Sequence, residues 1–144
     1  MKPDVFLRIA AVLMLIQAVL HTIGGVFGEP EPGAAAAAVA AMKSNQFLLL
    51  GNTRSYWDFY MGMGLGITIS LTVEAIVLWM LGSLAKSEAA RLRPILAAFL
   101  AGYLALAVNA WRYFFIGPVI TELLIALCLV LAITTARSAT SASI

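Results

Sequence analysis

The chain has 144 residues, of which 62% are hydrophobic and 11% are charged, and its formal net charge is +2. The mean hydropathy is +0.99. A water-soluble fold of this length cannot bury so much apolar surface, so the composition excludes an ordinary soluble domain. The small net charge gives no reason to expect a nucleic-acid partner. With one histidine and one cysteine, the chain lacks the ligands of a zinc or iron–sulfur site, and we expect neither a metal nor another cofactor.

Four apolar runs with almost no internal charge fill most of the chain. Each is close to the ~20 residues that an α-helix needs to cross a bilayer. The runs cover residues 5–27, 57–81, 94–116 and 118–136. The sequence therefore predicts an all-α, integral membrane bundle of four transmembrane helices. We expect one domain over residues 1–137, followed by a disordered tail at residues 138–144.

The first run carries two polar residues, Gln17 and His21, which are four positions apart and so share one helix face. Lys2 and Arg8, which flank the apolar stretch, also fit a cleavable signal peptide. Signal peptides, however, have apolar stretches of only about 7–15 residues, and this run is longer. We therefore expect a retained span, with Gln17 in its middle and His21 in its outer part.

The three connections differ in length and composition. Residues 28–56 form a long loop, in which prolines exclude a continuous helix and the alanine-rich stretch 34–42 favours a short one. We expect that helix to lie on the outer membrane surface, either as a lid over the bundle or as a tether. Residues 82–93 form the second connection and end at Pro94, which suits the first turn of the third helix. A tight third turn is predicted at 117–118.

The positive residues are distributed unevenly among these connections. Six of the nine lysines and arginines lie in the N-terminal segment, the 82–93 connection and the C-terminal tail. The positive-inside rule therefore places both termini and that connection in the cytoplasm.

Polar and aromatic residues are concentrated where the second span begins on the outer side: Arg54, Tyr56, Trp57, Asp58 and Tyr60. Aromatic rings of this kind collect at the membrane interface. Arg54 precedes Asp58 by four residues, so the two side chains can pair if both are helical. Gly62, Gly66 and Ser70 follow as a ridge of small residues that permits close helix packing.

The third and fourth spans bring further polar residues to the same side of the membrane. Small residues at 98, 102 and 105 lead to Asn109 and Arg112, and Trp111 adds an interface aromatic. Glu122 is expected in the first turn of the fourth helix, where a carboxylate suits the helix dipole. Glu74 lies deeper, where an acid costs about 2.5–3.5 kcal/mol on the insertion scale. We expect it to be protonated or to face Gln17, Thr134 or a partner chain.

The predicted functional site is this collection of ionisable and aromatic groups near the outer leaflet. His21 and Asp58 are the candidate catalytic residues. The candidate ligand-binding residues are Arg54, Tyr56, Trp57, Tyr60, Asn109, Trp111, Arg112 and Glu122. Each also has a structural interpretation: the arginines reach the interface as snorkelling side chains, Asp58 fixes helix packing, and His21 makes an interhelical hydrogen bond.

Two stretches carry a resemblance to a known family, namely Arg-Ser-Tyr-Trp-Asp-Phe-Tyr at 54–60, continued by Met-Gly-Met-Gly at 61–64, and Trp-Arg-Tyr-Phe-Phe at 111–115. The chain resembles a family of small bacterial four-span membrane proteins along its whole length, including the His-Thr-Ile-Gly-Gly end of the first run. The resemblance implies a location in the bacterial inner membrane. It implies no activity.

Three functions remain compatible with the sequence. The bundle binds a lipophilic small molecule or lipid through the outer polar cluster, or it is an enzyme that uses His21 and Asp58 as an acid–base pair on a lipid-like substrate. Alternatively it is a structural or accessory subunit, whose ionisable groups pair between helices or with a second copy or partner protein. We favour the first.

Overall fold

A computed structural model of the chain describes residues 2–141 and, within them, the side chains of residues 2–136. In chain order the elements are α1 (Pro3–Leu20), a π-helical segment (His21–Val26), α2 (Ala34–Ser44), β1 (Gln46–Leu49), β2 (Asn52–Ser55), α3 (Tyr56–Tyr113) and α4 (Ile116–Ser141). Most of the described chain is helical, which confirms the all-α class. The predicted tail lies partly in α4 and partly, at residues 142–144, outside the described residues.

The described chain divides into two compact units, and each is treated by itself below. The helical unit comprises the chain up to Gln17 together with the chain from Leu71 onward. The hairpin unit is Ala18–Ser70.

Helix α3 is two helices joined across a kink. Its 58 residues are interrupted at Glu88, whose φ of −126° and ψ of 28° are not helical. Tyr103 nevertheless hydrogen-bonds Glu74, 29 residues earlier, at 2.8 Å. In a straight helix these residues would be about 40 Å apart at 1.5 Å per residue. The helix therefore folds back at Glu88, which lies midway between them and divides it into two halves (56–87 and 89–113). Within the helical unit, residues 71–87 run antiparallel to the second half.

This fold-back corrects the predicted second connection. Residues 82–93 are helical apart from Glu88 rather than a loop, because alanine, lysine, glutamate and arginine, which dominate this stretch, are good helix formers. Pro94 consequently lies inside the second half of α3 and not in its first turn. An ion pair of 3.3 Å between Arg91 and Glu88 lies at the break.

The third turn also differs from the prediction. Helix α3 ends at Tyr113 and α4 begins at Ile116, so the chain turns at residues 114–115 and not at 117–118. Pro118 instead lies in the first turn of α4, where its missing N–H costs no intrahelical hydrogen bond. As a result, Glu122 lies further into α4 than the sequence suggests.

A short β-hairpin between α2 and α3 is an addition to the predicted fold. Strands β1 and β2 pair antiparallel, with Leu49 opposite Asn52. Leu50 and Gly51 form the two-residue turn, and both have positive φ values, 48° and 80°. That combination is the type I′ turn, whose twist matches that of the flanking strands. The helix expected in this loop is present as α2.

The core of the helical unit is built from α1, both halves of α3 and α4. Its largest fully buried side chains are Leu7, Met14, Leu78, Leu96, Tyr103, Ile125 and Leu129. Gly82 allows α1 to approach α3, because a Cβ there would lie 3.3 Å from the backbone oxygen of Asp4 and 3.3 Å from Cγ of Arg8. The Arg8 guanidinium lies 4.9 Å from the centre of the Trp79 ring, a cation–π contact.

Large apolar side chains also cover the outer surface of the helices. Among them are Val12, Leu15, Ile16, Val19, Val108, Leu123 and Leu127. By length and composition, three helices of the described chain can cross a membrane: Pro3–Val26, Tyr56–Tyr113 and Ile116–Ala136. These features are those of a membrane protein.

The predicted small-residue ridge of the second span is not buried within the chain. Gly62 and Gly66 are exposed, and a Cβ at either would meet no atom within 4 Å. Ser70 is exposed as well. The same holds for Gly102 in the second half of α3. These small residues therefore do not serve the intrachain helix packing that the sequence suggests.

Candidate functional site

The residues predicted to form one site belong to both units. The hairpin unit holds His21, Arg54, Tyr56, Trp57, Asp58 and Tyr60, and the helical unit holds Asn109, Trp111, Arg112 and Glu122. The two groups are described in turn.

Asp58 and Ser55 cap the start of α3. The backbone N–H of Ser55 donates to Oδ2 of Asp58 at 2.7 Å, and the backbone N–H of Asp58 donates to Oγ of Ser55 at 3.1 Å. This reciprocal pair is a capping box, which satisfies two N–H groups that a helix start leaves unpaired. The Ser-x-x-Asp spacing is its sequence signature and was the signal that could have revealed it.

Arg54 does not pair with Asp58 in the way the spacing suggests. It lies in strand β2, so the four-residue helical geometry is absent. Its Nη1 instead donates to the backbone oxygen of Thr53 at 2.8 Å, and the side chain is exposed. The helical condition for that pairing is not met, because α3 begins two residues after Arg54, at Tyr56.

His21 opens the π-helical segment and joins it to α3. Its Nε2 lies 3.1 Å from the backbone oxygen of Gly64, so this nitrogen carries the hydrogen that the carbonyl accepts. The Tyr60 hydroxyl likewise donates to the backbone oxygen of Gly25 at 2.7 Å. One hydrogen bond from each element thus ties the π-helical segment to α3.

Two groups of ring contacts lie in the hairpin unit, and together they are called the aromatic surface below. We define it as Phe47, Tyr56, Trp57, Phe59 and Tyr60, together with Lys43. The ring centres of Phe47 and Tyr56 are 5.0 Å apart, and those of Trp57 and Tyr60 are 5.2 Å apart. The Lys43 ammonium lies 4.7 Å from the centre of the Trp57 ring. Lys43, Phe47 and Phe59 were not among the predicted ligand-binding residues, and the hairpin that brings Phe47 to Tyr56 and Phe59 was not predicted.

The hairpin tip beside this surface is apolar and exposed. Leu48 is 73% exposed and Leu50 is 93% exposed. A leucine with positive φ at the tip of a turn is uncommon. Two leucines that are exposed to water also contribute no hydrophobic stabilisation to the fold. The tip therefore offers an apolar contact to a lipid phase or to another molecule.

In the helical unit, three of the predicted site residues lie on the surface. Asn109 and Arg112 are exposed, and Trp111 is 71% exposed. Glu122, in contrast, is only 4% exposed. It is neither a surface group nor a first-turn residue, because α4 already begins at Ile116.

Glu122 belongs to a polar cluster that was not predicted, in which Tyr103 and Glu122 are buried and Gln17 and Glu74 are half-buried. We define the cluster as Gln17, Glu74, Tyr103 and Glu122. The Gln17 amide nitrogen donates to Oε1 of Glu122 at 2.9 Å, and the Tyr103 hydroxyl donates to Oε2 of Glu74 at 2.8 Å. Tyr103 is thus the partner of Glu74, in place of the expected Gln17, Thr134 or partner chain. Its signal in the sequence was a hydroxyl in an apolar span, which needs a hydrogen-bond partner.

Two oxygens of this cluster are buried without a hydrogen-bond partner among the described residues. They are Oε1 of Gln17 and Oε2 of Glu122. Glu74 and Glu122 are near enough for their charges to interact, and no lysine or arginine of the described chain forms an ion pair with either acid. The cluster therefore has more acceptors than donors.

The described residues hold no group of three or more histidine, cysteine or acidic side chains arranged to bind a metal ion. A depression of about 420 Å³ in the helical unit lies among Ala90, Arg93, Pro94, Ala97 and Ile133. It contains none of the predicted site residues and no acid.

The chain matches no protein-family model, no curated protein and no solved structure. Its function is therefore inferred from its own residues, and the resemblance to the bacterial four-span family stays a prediction.

Proposed function

We propose that the chain is an integral protein of the bacterial inner membrane that crosses it four times, with both termini in the cytoplasm. The fold-back at Glu88 supports this count, because each half of α3 has at least the ~20 residues needed for a span. The fold-back also carries Lys86, Arg91 and Arg93, which the positive-inside rule assigns to the cytoplasm.

We further propose that the protein binds a lipid or a lipophilic small molecule at the aromatic surface. The observation that carries this proposal is the combination of stacked rings, a lysine on the Trp57 ring and an exposed leucine tip. Rings and leucines contact the apolar part of such a ligand. Lys43 and Arg54 are positioned on the same unit to attract a negative or polar head group.

Among the predicted ligand-binding residues, the proposal rests on Arg54, Tyr56, Trp57 and Tyr60. Asn109, Trp111 and Arg112 keep their proposed role as a second exposed group in the helical unit. Glu122 leaves the set because its side chain is buried and bonded to Gln17.

Catalysis by His21 and Asp58 gains no support from these contacts. Asp58 caps α3, and Nε2 of His21 is bonded to a backbone carbonyl. Both interactions stabilise the local fold whether or not a substrate is present.

An accessory role in a membrane complex is the second candidate. The exposed ridge of Gly62, Gly66 and Ser70 favours it, because small residues on a membrane helix allow another helix to approach closely. A second copy of the chain or a different membrane protein would satisfy this face.

The test is native mass spectrometry of the protein in mild detergent, with extraction and identification of the molecules that co-purify. We expect one enriched lipid or lipophile that is lost in Trp57→Ala and weakened in Arg54→Ala. The matched control is Arg91→Ala, which removes an exposed arginine at the fold-back. Equal enrichment in all four proteins would refute the aromatic surface as the site. A stable complex with no bound lipophile would favour the accessory role.

A further inference from the structure

The polar cluster presents an imbalance that the proposed lipid binding does not explain. The Gln17 amide and the Glu122 carboxyl are joined by one hydrogen bond of 2.9 Å, from Nε2 of Gln17 to Oε1 of Glu122. The single oxygen of the Gln17 amide and the second oxygen of the Glu122 carboxyl are both buried and have no partner among the described residues. A buried oxygen without a donor costs free energy, so such atoms are uncommon in native structures.

We propose that Gln17 and Glu122 form a proton-binding site. In it, Oε2 of Glu122 carries the proton and donates a hydrogen bond to Oε1 of Gln17. An amide and a carboxylic acid are both planar and have one donor and one acceptor on the same edge. Once the proton is bound, each group donates to the other and both orphaned oxygens are satisfied. The inference goes beyond lipid binding and does not depend on it.

The surroundings of Glu122 favour the bound proton. The side chain is 4% exposed, and an ionised carboxylate in such a place is costly without a cation beside it. The titratable groups that face it are Glu74 and Tyr103, from the two halves of α3. Glu74 is a like charge when ionised, and Tyr103 uses its hydroxyl donor on Glu74. Helix α1 contributes Gln17, whose amide does not titrate.

A metal cation fits the same atoms less well. Hard cations such as calcium take six or more oxygen ligands, and magnesium demands near-octahedral geometry. The pair offers two unpartnered oxygens, and the described residues hold no group of three or more acids or histidines positioned to complete a metal site. A proton needs only the one donor position and the one acceptor that Glu122 and Gln17 supply.

Infrared spectroscopy provides the first test, since the carbonyl stretch of a carboxylic acid is separate from that of a carboxylate. The full-length protein is measured at neutral pH in a detergent that has no carbonyl group. We expect an acid band that disappears in Glu122→Gln and moves to higher frequency in Gln17→Leu, where its hydrogen-bond partner is lost. In the control Glu74→Gln the band should remain. No acid band, or a band that Glu74→Gln removes, would overturn the proposal.

A second test uses the unmutated protein, so it does not depend on the folding of any variant. Dicyclohexylcarbodiimide reacts with protonated carboxyls in apolar surroundings. The acid adds across the carbodiimide and the adduct rearranges to a stable N-acylurea, with no leaving group. We expect peptide mass spectrometry to find the adduct on Glu122, with a rate that falls about tenfold for each pH unit above the midpoint of a one-proton titration. Adduct on Glu74 alone, or protection of Glu122 by sodium at fixed pH, would overturn proton binding.

Discussion

The hydrogen bond between Tyr103 and Glu74 joins the two halves of α3, and Tyr103→Phe removes it with little other change. The substitution deletes one oxygen. The Tyr103 side chain is only 2% exposed, and phenylalanine fills the same ring volume, so the variant creates almost no cavity. What is lost is a 2.8 Å bond to a carboxyl group.

The expected cost follows from the kind of bond and its surroundings. A hydrogen bond to a charged group contributes about 1.5–3 kcal/mol in proteins, whereas interhelical bonds within membranes average about 0.6 and reach about 1.7 kcal/mol. We therefore expect Tyr103→Phe to lower the free energy of unfolding by about 1–1.5 kcal/mol, between the membrane average and the lower end of the range for charged groups.

The assay is equilibrium unfolding in a mild detergent titrated with a denaturing one, followed by circular dichroism. A double-mutant cycle with Glu74→Gln isolates the pair from other effects of each substitution. Tyr113→Phe is the matched control, because it removes the same hydroxyl from an exposed ring in the same half of α3. The control should change stability by less than about 0.5 kcal/mol. A Tyr103→Phe protein as stable as the control, with no coupling to Glu74, would refute the fold-back contact.

Three further predictions concern other elements. Ser55→Ala should destabilise the fold by about 1 kcal/mol through loss of the helix cap. Asp58→Asn keeps an acceptor for the Ser55 N–H, so in thermal unfolding it should lower the melting temperature less than Ser55→Ala does. The reverse order would argue against a capping role. Leu50→Asn should leave the melting temperature unchanged or raised, because asparagine tolerates positive φ. In the protein reconstituted in lipid vesicles, it should lower the labelling of the hairpin tip by a photoreactive probe confined to the lipid phase; unchanged labelling would exclude the leucine tip as a membrane contact. Gly82→Val should lower the free energy of unfolding by about 1–3 kcal/mol by overpacking α1 against α3. Gly62→Val lies on an open face, so it should leave unfolding of the monomer unchanged. Equal losses of stability in chemical unfolding would contradict the packing described at Gly82.

The helices themselves were predictable, because apolar runs of span length leave few alternatives. The first and fourth runs coincide closely with α1 and its π-helical continuation and with α4. The connections between the helices were not predictable in the same way. The polar composition of residues 82–93 suggested a loop, yet these residues are good helix formers, and the chain reverses at a single nonhelical residue, Glu88.

The predicted positions of several side chains were wrong because the predicted helix ends were wrong, and helix ends decide which residues come into contact. The Gly-Pro pair at 117–118 suggested a turn and so placed Glu122 at the membrane surface, whereas α4 begins at Ile116 and buries it. Arg54 was assigned to a helix that begins only at Tyr56. Tyr103 was overlooked because its partner comes from the other half of a helical hairpin, and no local pattern reports a contact over 29 residues.

The hairpin made by α3 also bears on how such a chain is inserted during synthesis. Inserting the first half of α3 with Glu74 unpaired would be unfavourable, since an acid at the centre of a span costs about 2.5–3.5 kcal/mol on the insertion scale. Tyr103 arrives only after the ribosome has added the second half of α3. For a chain that spans the membrane as proposed, biogenesis therefore favours transfer of both halves into the lipid together, with the acid already paired, over release of the first half by itself.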